Sequence, residues 1–466
     1  MLPMKIKTVC KALEGKLVQG DDEREILGVM ARWAYVKPGY LYFDVVGGPG
    51  GNRNMLQALE NGATAFVISK YKKTLPFDDK EVAVVAVPKV WEAFWKFVAF
   101  YRELFNIPVI GVTGTSGKTT TKEMLAAILS RKWRVMKTRS NLNLPDFVPG
   151  HIFRIRKSHG AAVFEIGMNG PGQIGKQSRA VKPNIGIITH IGQGHVGAFN
   201  NKEEVIKEKS DIMVGIPAGG HLLLNADDPN TAKISLTGFA GQVHYFGLKN
   251  KAEITAHDIR CDAKGTRFKV KAPGLDEEFF IPTFGRHNVS NALAAILAAR
   301  LAGVEKEHIK NGLAKYRKPH MRLQVVKGIR ETLLINDTYN ANPDSVIAGL
   351  DVLKLLAAGR KTVAVLGNML EQGQYSVEAH RRVGEKATAL QLDLLVTVGW
   401  QAREIARGAV EAGMPKEKVI SFMRRLHAEE YLKKAMPEKA VVLFKGSRGA
   451  YLEKLVKALK APKEND

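Results

Sequence analysis

Residues 107–124 read IPVIGVTGTSGKTTTKEM, and this stretch decides the fold of the chain around it. An apolar run with β character passes directly into a glycine turn, and a helical pattern follows at once. In that order of strand, turn and helix, backbone N–H groups can hold phosphate oxygens. We therefore predict a site for a nucleoside triphosphate in the turn and the start of the helix. Its residues are Gly114, Thr115, Ser116, Gly117, Lys118, Thr119 and Thr120.

Two side chains of this turn carry specific chemistry. Lys118 is predicted to reach the terminal phosphates, and the Thr119 hydroxyl is predicted to bind Mg²⁺. The usual G-x-x-x-x-G-K-T spacing would place a glycine at position 112, where this chain has Val112. The stretch is thus a phosphate loop with altered glycine spacing.

Length and composition indicate an ordinary soluble protein of several domains. A chain of 466 residues predicts two to four domains, and 45% hydrophobic with 25% charged residues is typical of globular proteins. No apolar run approaches the roughly 20 residues that span a bilayer, and the first 15 residues do not resemble a signal peptide. Cys10 and Cys261 are far apart and form no metal-type pair. We expect a cytoplasmic protein that acts as a monomer.

The formal net charge of +24 is compatible with several kinds of partner. A basic surface can attract nucleic acid, anionic lipid or a polyanionic small molecule. Here the lysines and arginines are spread over the whole chain, and no basic helix interleaved with aromatic residues is present. We favour a solvated, Lys-rich surface and small-molecule substrates, with no nucleic acid. A nucleic-acid-binding P-loop ATPase stays open as an alternative from another class.

The chain divides into three α/β units by its pattern of strands and helices. Residues 1–104 are predicted to form a small α/β anchoring domain, and residues 105–318 a central P-loop domain with a mostly parallel sheet. The stretch YRKPHMRLQ reads as a linker. Residues 319–466 then alternate strands and helices in the manner of a Rossmann-like, doubly wound unit.

Two polar residues follow strands of the central unit. Glu165 ends the strand AAVFEIG, and His195 follows NIGIITHIG. Ligands of α/β sheets bind at the carboxyl ends of parallel strands, so both are expected beside the phosphate loop. A carboxylate and an imidazole there could hold Mg²⁺ against the terminal phosphate.

These motifs together resemble the Mur ligases, the ATP-dependent amide ligases of peptidoglycan precursor synthesis. The resemblance implies a three-domain, ADP-forming ligase that works through an acyl phosphate. It is greatest to the branch that adds D-alanyl-D-alanine to a UDP-muramoyl tripeptide. It rests on GVTGTSGKTTTKEM, EIGMNGPGQI, ITHIGQGH, LLNADDPN, GRHNVSNALAA, MRLQ, INDTYNANPDS, LGNMLEQG and FKGSRG.

The resemblance also assigns roles by position. Lys118, Lys209, His195 and Arg322 would be catalytic, with Thr119, Glu165, His195 and Lys209 around two Mg²⁺ ions. ATP would further contact Asn288 and Asn291 through its adenine, and Arg322 and Asp337 on closure of the C-terminal domain. The amine substrate would face Tyr339, Asn340, Pro343, Ser345 and Lys445.

Lys209 lies in NKEEVIKEKSDIM, which by itself is typical of a charged, solvated helix face. Mur ligases carry a carbamylated lysine at the corresponding place, which converts a cation into an oxygen ligand suited to Mg²⁺. The match EKSDI points to Lys209, and Lys207 is the alternative register.

Several positions depart from the family pattern. Ala31-Arg32-Trp33 stands where DSR is usual, and residues 50–54 replace a DGH-type turn. Asn368 replaces a usual Asp, and Asn141-Leu142-Asn143 is a reduced form of NNEIG. A Mur-type ligase that uses a different acid substrate is therefore the nearer alternative.

Overall fold

In the computed structural model, which describes residues 1–72, 74–78, 80–194 and 196–462, three large β-sheets follow one another along the chain. Each sheet is covered by helices. The predicted α/β class with mostly parallel central and C-terminal sheets is confirmed.

The first sheet has five strands in the order β2-β7-β6-β5-β4, parallel except for β2 against β7, and β1 pairs with β3 beside it. The strands are β1 (Met4–Lys5), β2 (Lys16–Gln19), β3 (Glu25–Ile26), β4 (Gly28–Met30), β5 (Tyr40–Phe43), β6 (Ala63–Ser69) and β7 (Ala83–Val87). The helices are α1 (Ile6–Leu13), α2 (Gly48–Glu60) and α3 (Val90–Glu103).

The second sheet has nine strands in the order β16-β15-β14-β13-β12-β11-β8-β10-β9. The phosphate-loop strand β8 lies between β11 and β10, so both neighbours end beside the loop. The strands are β8 (Val109–Thr113), β9 (Val135–Lys137), β10 (Ala161–Glu165), β11 (Ile185–Ile188), β12 (His221–Asn225), β13 (Gln242–Gly247), β14 (Ile254–Cys261), β15 (Thr266–Ala272) and β16 (Leu275–Ile281). The helices are α4 (Lys118–Leu129), α5 (Val148–Ile152), α6 (Gln173–Val181), α7 (Lys202–Ser210), α8 (Arg286–Leu301) and α9 (Lys306–Ala314).

The third sheet has six strands in the order β17-β18-β22-β19-β20-β21, with only the edge strand β17 antiparallel. The strands are β17 (Gln324–Lys327), β18 (Leu333–Asn336), β19 (Thr362–Gly367), β20 (Leu394–Val398), β21 (Val419–Phe422) and β22 (Val441–Lys445). The helices are α10 (Pro343–Ala357), α11 (Ser376–Ala389), α12 (Arg403–Glu411), α13 (Arg425–Ala435) and α14 (Glu453–Leu459).

In the last unit, the strands predicted in TLLINDTYN, KTVAVLGNM, LDLLVTVGW and AVVLFKGS correspond to β18, β19, β20 and β22. The sequence analysis missed β21 and the antiparallel extension β14 to β16. Strands β14 and β16 alternate polar with apolar residues, and β21 is a short strand without a buried residue, so none of them has the pattern of a buried parallel strand.

The joints between the units differ in character. Helix α3 packs on the central unit through aromatic rings, with Phe94, Phe97 and Tyr101 all within 6.5 Å of the Phe153 ring centre. The Tyr101 hydroxyl also donates to the Ile155 carbonyl. The contacts between the central and C-terminal units, which are described below, are polar. The first joint is therefore a continuous apolar core, whereas the second depends on side-chain hydrogen bonds and ion pairs.

None of the helices in the described ranges combines the length and apolar character needed to cross a membrane.

Candidate active site

The phosphate loop joins β8 to α4, whose first residue is Lys118. Gly117 adopts a φ of +88°, and a Cβ there would lie 2.4 Å from the Asn291 side-chain oxygen, so glycine is required. The Lys118 Nζ turns back into the loop and donates to the carbonyls of Gly114 (2.7 Å) and Thr115 (3.1 Å). Burial lowers the pKa of Lys118. An anion bound in the loop would supply a negative counter-charge for the Lys118 ammonium.

Glu165 lies at the end of β10, immediately beside the start of α4. Its Oε1 accepts hydrogen bonds from the Thr119 hydroxyl (3.0 Å) and from the Asn143 amide (2.7 Å). Its Oε2 is buried without a hydrogen-bond partner and lies 3.4 Å from the Lys122 Nζ. A carboxylate oxygen and a hydroxyl thus meet beside the phosphate loop.

The sequence analysis did not identify Lys122. Its side chain is fully buried, and its Nζ donates to the carbonyls of Thr138 and Ser140 besides contacting Glu165. The available signal was its position one helical turn after Lys118, on the same side of α4. Lys122 fixes the carboxylate that the loop needs.

Lys209 lies at the end of α7, with 1% of its surface exposed. Burial, together with the nearby Lys118 charge, lowers the pKa of Lys209 well below its ordinary value. Lys207, the alternative register, is exposed. A lowered pKa favours the neutral amine, which is the nucleophilic form that carbamylation requires.

Asn288 and Asn291 lie in the first turns of α8 and are both buried. The Asn288 amide donates to the Phe284 carbonyl (2.7 Å), and the Asn291 amide donates to the Asn288 side-chain oxygen (3.2 Å). Since Asn291 also packs on Gly117, the pair lies directly behind the phosphate loop.

The C-terminal unit contributes Arg322, which precedes β17. Its guanidinium lies over the Tyr339 ring, 4.5 Å from the ring centre, and donates to the Thr119 hydroxyl (3.2 Å). Its buried Nε has no hydrogen-bond partner among the described residues. This cation therefore has donor capacity left for a ligand at the phosphate loop.

Asp337 directly follows β18, and Lys445 is the last residue of the adjacent strand β22. They form a largely buried ion pair, with Lys445 Nζ 2.6 Å from the Asp337 carboxylate. The same Nζ donates to the Asn340 carbonyl at 3.1 Å, and the Leu323 N–H donates to Asp337. The pair holds together the loops that carry Arg322 and Tyr339.

The Ser345 hydroxyl accepts a hydrogen bond from the backbone N–H of Asn342 in this structure. It forms a capping box with Asn342 at the start of α10, and Pro343 is the first residue of that helix. The Asn342 amide also donates to the Ser116 hydroxyl at 3.1 Å. Asn342, which the sequence analysis did not select, thus connects the C-terminal loop to the phosphate loop.

These groups line one cavity of about 730 Å³ between the central and C-terminal units. Pro343 lies outside its lining, and His195 lies outside the described residues. The predicted site residues that line it are Gly114, Thr115, Ser116, Gly117, Lys118, Thr119, Thr120, Glu165, Lys209, Asn288, Asn291, Arg322, Asp337, Tyr339, Asn340, Ser345 and Lys445.

None of the described residues of the N-terminal unit belongs to this lining. Arg32, at one of the altered positions, pairs with Asp146 of the central unit at 2.5 Å, with both side chains more than half exposed. In the other altered stretch, Asn52 accepts a hydrogen bond from Lys72, which also pairs with the buried Asp44. Arg53 of the same stretch is exposed on α2.

Comparison with known proteins agrees with this geometry. Residues 112–299 match the Mur ligase middle domain, and residues 321–448 match the Mur ligase, glutamate ligase domain. The chain is 30% identical over 461 residues to UDP-N-acetylmuramoyl-tripeptide–D-alanyl-D-alanine ligase of Bacillus subtilis, which covers 98% of this chain and 99% of that one.

Two solved structures have the same architecture. MurF from Acinetobacter baumannii superimposes with a TM-score of 0.86 at 30% identity and covers 98% of both chains. MurF ligase from Thermotoga maritima in complex with ADP gives a TM-score of 0.78 at 24% identity, covering 92% of this chain and 96% of that one.

Proposed function

We propose that this chain, which belongs to the Mur ligase family, is an ADP-forming amide ligase that joins D-alanyl-D-alanine to a UDP-muramoyl tripeptide. The observation that carries the proposal is the shared cavity. One wall is a phosphate loop, and the other is the loop after β18 with its Tyr339 and Asn340. A nucleotide and an amine donor can therefore meet at one point.

The reaction has two steps. A carboxylate oxygen of the acid attacks the γ-phosphorus of ATP, the bond to the bridging oxygen breaks, and ADP leaves with that electron pair. The amine nitrogen then attacks the acyl carbon and loses a proton. The carbon–oxygen bond breaks, and the products are an amide and inorganic phosphate.

Phosphoryl transfer depends on positioning and on charge neutralisation, without a covalent protein nucleophile. Lys118 and Arg322 supply two cationic side chains around the phosphate loop. Arg322 adds a planar guanidinium fixed by the Tyr339 ring, which preorganises its donors. Both side chains would stabilise the negative charge that develops on the transferred phosphoryl group.

The oxygen ligands fit Mg²⁺, a hard cation. The Glu165 carboxylate and the Thr119 hydroxyl would hold one ion. When bound, Mg²⁺ supplies positive charge to the phosphate oxygens. His195 and a carbamylated Lys209 complete the proposed set for two ions.

The Asp337–Lys445 pair and the Arg322–Tyr339 stack keep the C-terminal loop against the nucleotide. Closure of the two units would exclude water, which would otherwise hydrolyse the acyl phosphate. Asn288 and Asn291 would meet the adenine.

We keep the predicted division into an anchoring domain (1–104), an ATP-binding domain (105–318) and a ligase domain (319–466). The substrates are small molecules, the expected location is the cytoplasm, and the expected state is a monomer.

A second candidate is a Mur-type ligase that acts on another acid. The observation in its favour is Arg32, which is paired with Asp146 where the family usually has DSR. In both candidates the chemistry at the phosphate loop is the same.

An ATPase screen of acids against amines, with mass spectrometry of the product, tests the proposal. We expect ADP to form only when both UDP-muramoyl tripeptide and D-alanyl-D-alanine are present. ADP formation with another carboxylate and not with UDP-linked acids favours the second candidate. Stimulation by DNA or RNA alone contradicts both.

A further inference from the structure

We propose that His190 and Asp344 form an interdomain latch that positions the C-terminal loop over the phosphate loop. This inference rests on the proposed function, because the latch would act by completing the ligase site. Neither residue was selected from the sequence, and both line the cavity.

His190 is rigidly attached to the phosphate loop. The Thr115 N–H donates to the His190 carbonyl at 2.6 Å, and the neighbouring Thr189 hydroxyl donates to the Ser116 carbonyl at 2.6 Å. The Gly192 N–H also donates to the Thr115 hydroxyl. The turn after β11 and the phosphate loop therefore move as one body.

The His190 side chain extends from this body to the other unit. Its Nδ1 lies 3.2 Å from the carboxylate of Asp228, which follows β12, and its Nε2 lies 3.5 Å from the carboxylate of Asp344 in the first turn of α10. An imidazolium between two carboxylates attracts both. One carboxylate is on its own unit and the other is on the C-terminal unit.

Two more groups converge on Asp344. The Gln193 N–H donates to it at 3.2 Å, and the guanidinium of Arg382 on α11 donates to its other oxygen at 3.1 Å. Arg382 also reaches the Gln193 side chain at 3.4 Å. Asp344 is thus held by donors from both units.

The approach depends on Gly192. A Cβ at this position would lie 2.0 Å from the Asp344 carboxylate oxygen, which is far inside contact distance. A side chain there would displace the Asp344 carboxylate from its place against the turn after β11.

The latch acts on the site through α10. Asp344 is two residues after Asn342, whose amide donates to the Ser116 hydroxyl in the phosphate loop. Asp344 therefore sets the start of α10, and with it the loop that carries Tyr339 and Asn340. We assign His190 and Asp344 as positioning residues, since they act through this loop.

The charged groups of the latch make its closure dependent on pH. Burial lowers the pKa of His190, but the hydrogen bonds to Asp228 and Asp344 outweigh burial and raise the pKa to about 9. For Asp344, burial is opposed by His190 and Arg382, which lower the pKa to about 2. Asp228, Asp344 and, behind Asp344, Arg382 are the charged groups that face the imidazole from the packed elements.

The sign follows from these shifts. The Asp344 contact raises the pKa of His190, so latching favours the imidazolium, and this contribution is lost as pH rises through about 9. Asp344 has the lower pKa when latched, so its contribution is present above about 4 and is lost as pH falls through about 2. Closure should therefore weaken mainly on the alkaline side.

A double-mutant cycle of His190→Gln and Asp344→Asn tests the latch in the full chain. Small-angle X-ray scattering with Mg²⁺ and ADP measures closure, and ADP production measures kcat and KM across pH. Arg382→Gln and Lys386→Gln form a matched pair, since both remove a cation from α11. Lys386 contacts Asp351 within the C-terminal unit, so it is the control.

We expect each latch variant to reduce compaction by ADP and to lower kcat about tenfold or more, with the double variant no worse than either single one. The wild-type decline of kcat above pH 9 should be absent in His190→Gln. Lys386→Gln should behave as wild type, and Arg382→Gln should lose compaction.

Unchanged compaction and an unchanged alkaline limb in both single variants would overturn the latch. Additive effects of the two substitutions would do so as well. The scattering measurement needs neither acid nor amine, so a failure of the proposed function appears separately, as absent turnover in the wild-type protein.

Discussion

The guanidinium of Arg322 donates a hydrogen bond to the Thr119 hydroxyl over 3.2 Å, although the two residues are 203 positions apart. Thr119 at the same time donates to Glu165, which is itself hydrogen-bonded to Asn143. One hydroxyl thus connects the C-terminal unit, the phosphate loop and the carboxylate expected to hold Mg²⁺. Substitutions around this point should affect turnover more than folding.

Lys118→Ala should abolish ADP production while the far-ultraviolet circular dichroism spectrum stays unchanged. The substitution removes the cation over the β- and γ-phosphates, and Lys118 makes only loop contacts to carbonyls. Lys132→Ala is the control, because Lys132 follows the far end of α4 and pairs with Glu305 at the surface. A folded Lys118→Ala protein that keeps more than about a tenth of wild-type turnover contradicts the role.

Arg322→Lys should lower ADP production by about a hundredfold or more, with the melting temperature little changed. Lysine keeps the charge but has no planar guanidinium to stack on Tyr339 while donating to Thr119. Arg317→Lys, an exposed arginine in the same linker, is the matched control. Equal rates for the two variants would show that stacking at position 322 is unimportant.

Lys209→Ala should be nearly inactive, and millimolar short carboxylates should restore part of the activity by replacing the missing oxygen ligand. Depletion of CO₂ should reversibly inactivate the wild type, because the proposed Mg²⁺ ligand is the carbamylated form of Lys209. Lys207→Ala on the exposed face of α7 is the control. Full activity of Lys209→Ala rules out the proposal, as does full inactivation by Lys207→Ala alone.

Lys122→Met should destabilise the central unit by about 3–5 kcal/mol, because it leaves Glu165 buried without its cation. The thermal unfolding midpoint measures this effect. Lys137→Met, which removes a half-exposed partner of Glu123, should leave the midpoint within about a degree. If both variants melt alike, the buried pair contributes no stability of its own.

Turnover of UDP-muramoyl tripeptide should require the dipeptide, and KM for the acid should rise with salt. The N-terminal unit carries exposed Arg53 and half-exposed Arg32, whose attraction for a diphosphate is screened by ions. Initial rates from low to high ionic strength measure this. Use of a single amino acid in place of the dipeptide would refute the branch assignment.

The local pattern of the chain was sufficient to predict the phosphate loop and most of the parallel strands. A strand that runs into Gly114–Thr120 and then into a helix forms its site from neighbouring residues, so adjacency in sequence carries the information. Glu165 could be predicted for a related reason, since parallel strands end at one edge of a sheet. Strands β14 to β16 were missed because their alternating polar pattern is shared with loops and exposed helices, and β21 was missed because it is a short strand without a buried residue.

The register of Lys209 against Lys207 could not be derived from periodicity, because the charged helix has little amphipathic contrast. Only the packing of α7 shows that Lys209 faces the cavity and Lys207 faces solvent. Its chemical role stays a prediction.

The sequence by itself determined the fold class, the phosphate loop and the family, since each depends on local order and on motifs in series. Tertiary structure decided which distant groups meet. Three pairs join residues of different units that are more than 100 positions apart in the sequence. They are Arg322 with Thr119, Asn342 with Ser116 and His190 with Asp344. Such pairings depend on the angle at which two sheets pack, and no local pattern of apolar and polar residues encodes that angle.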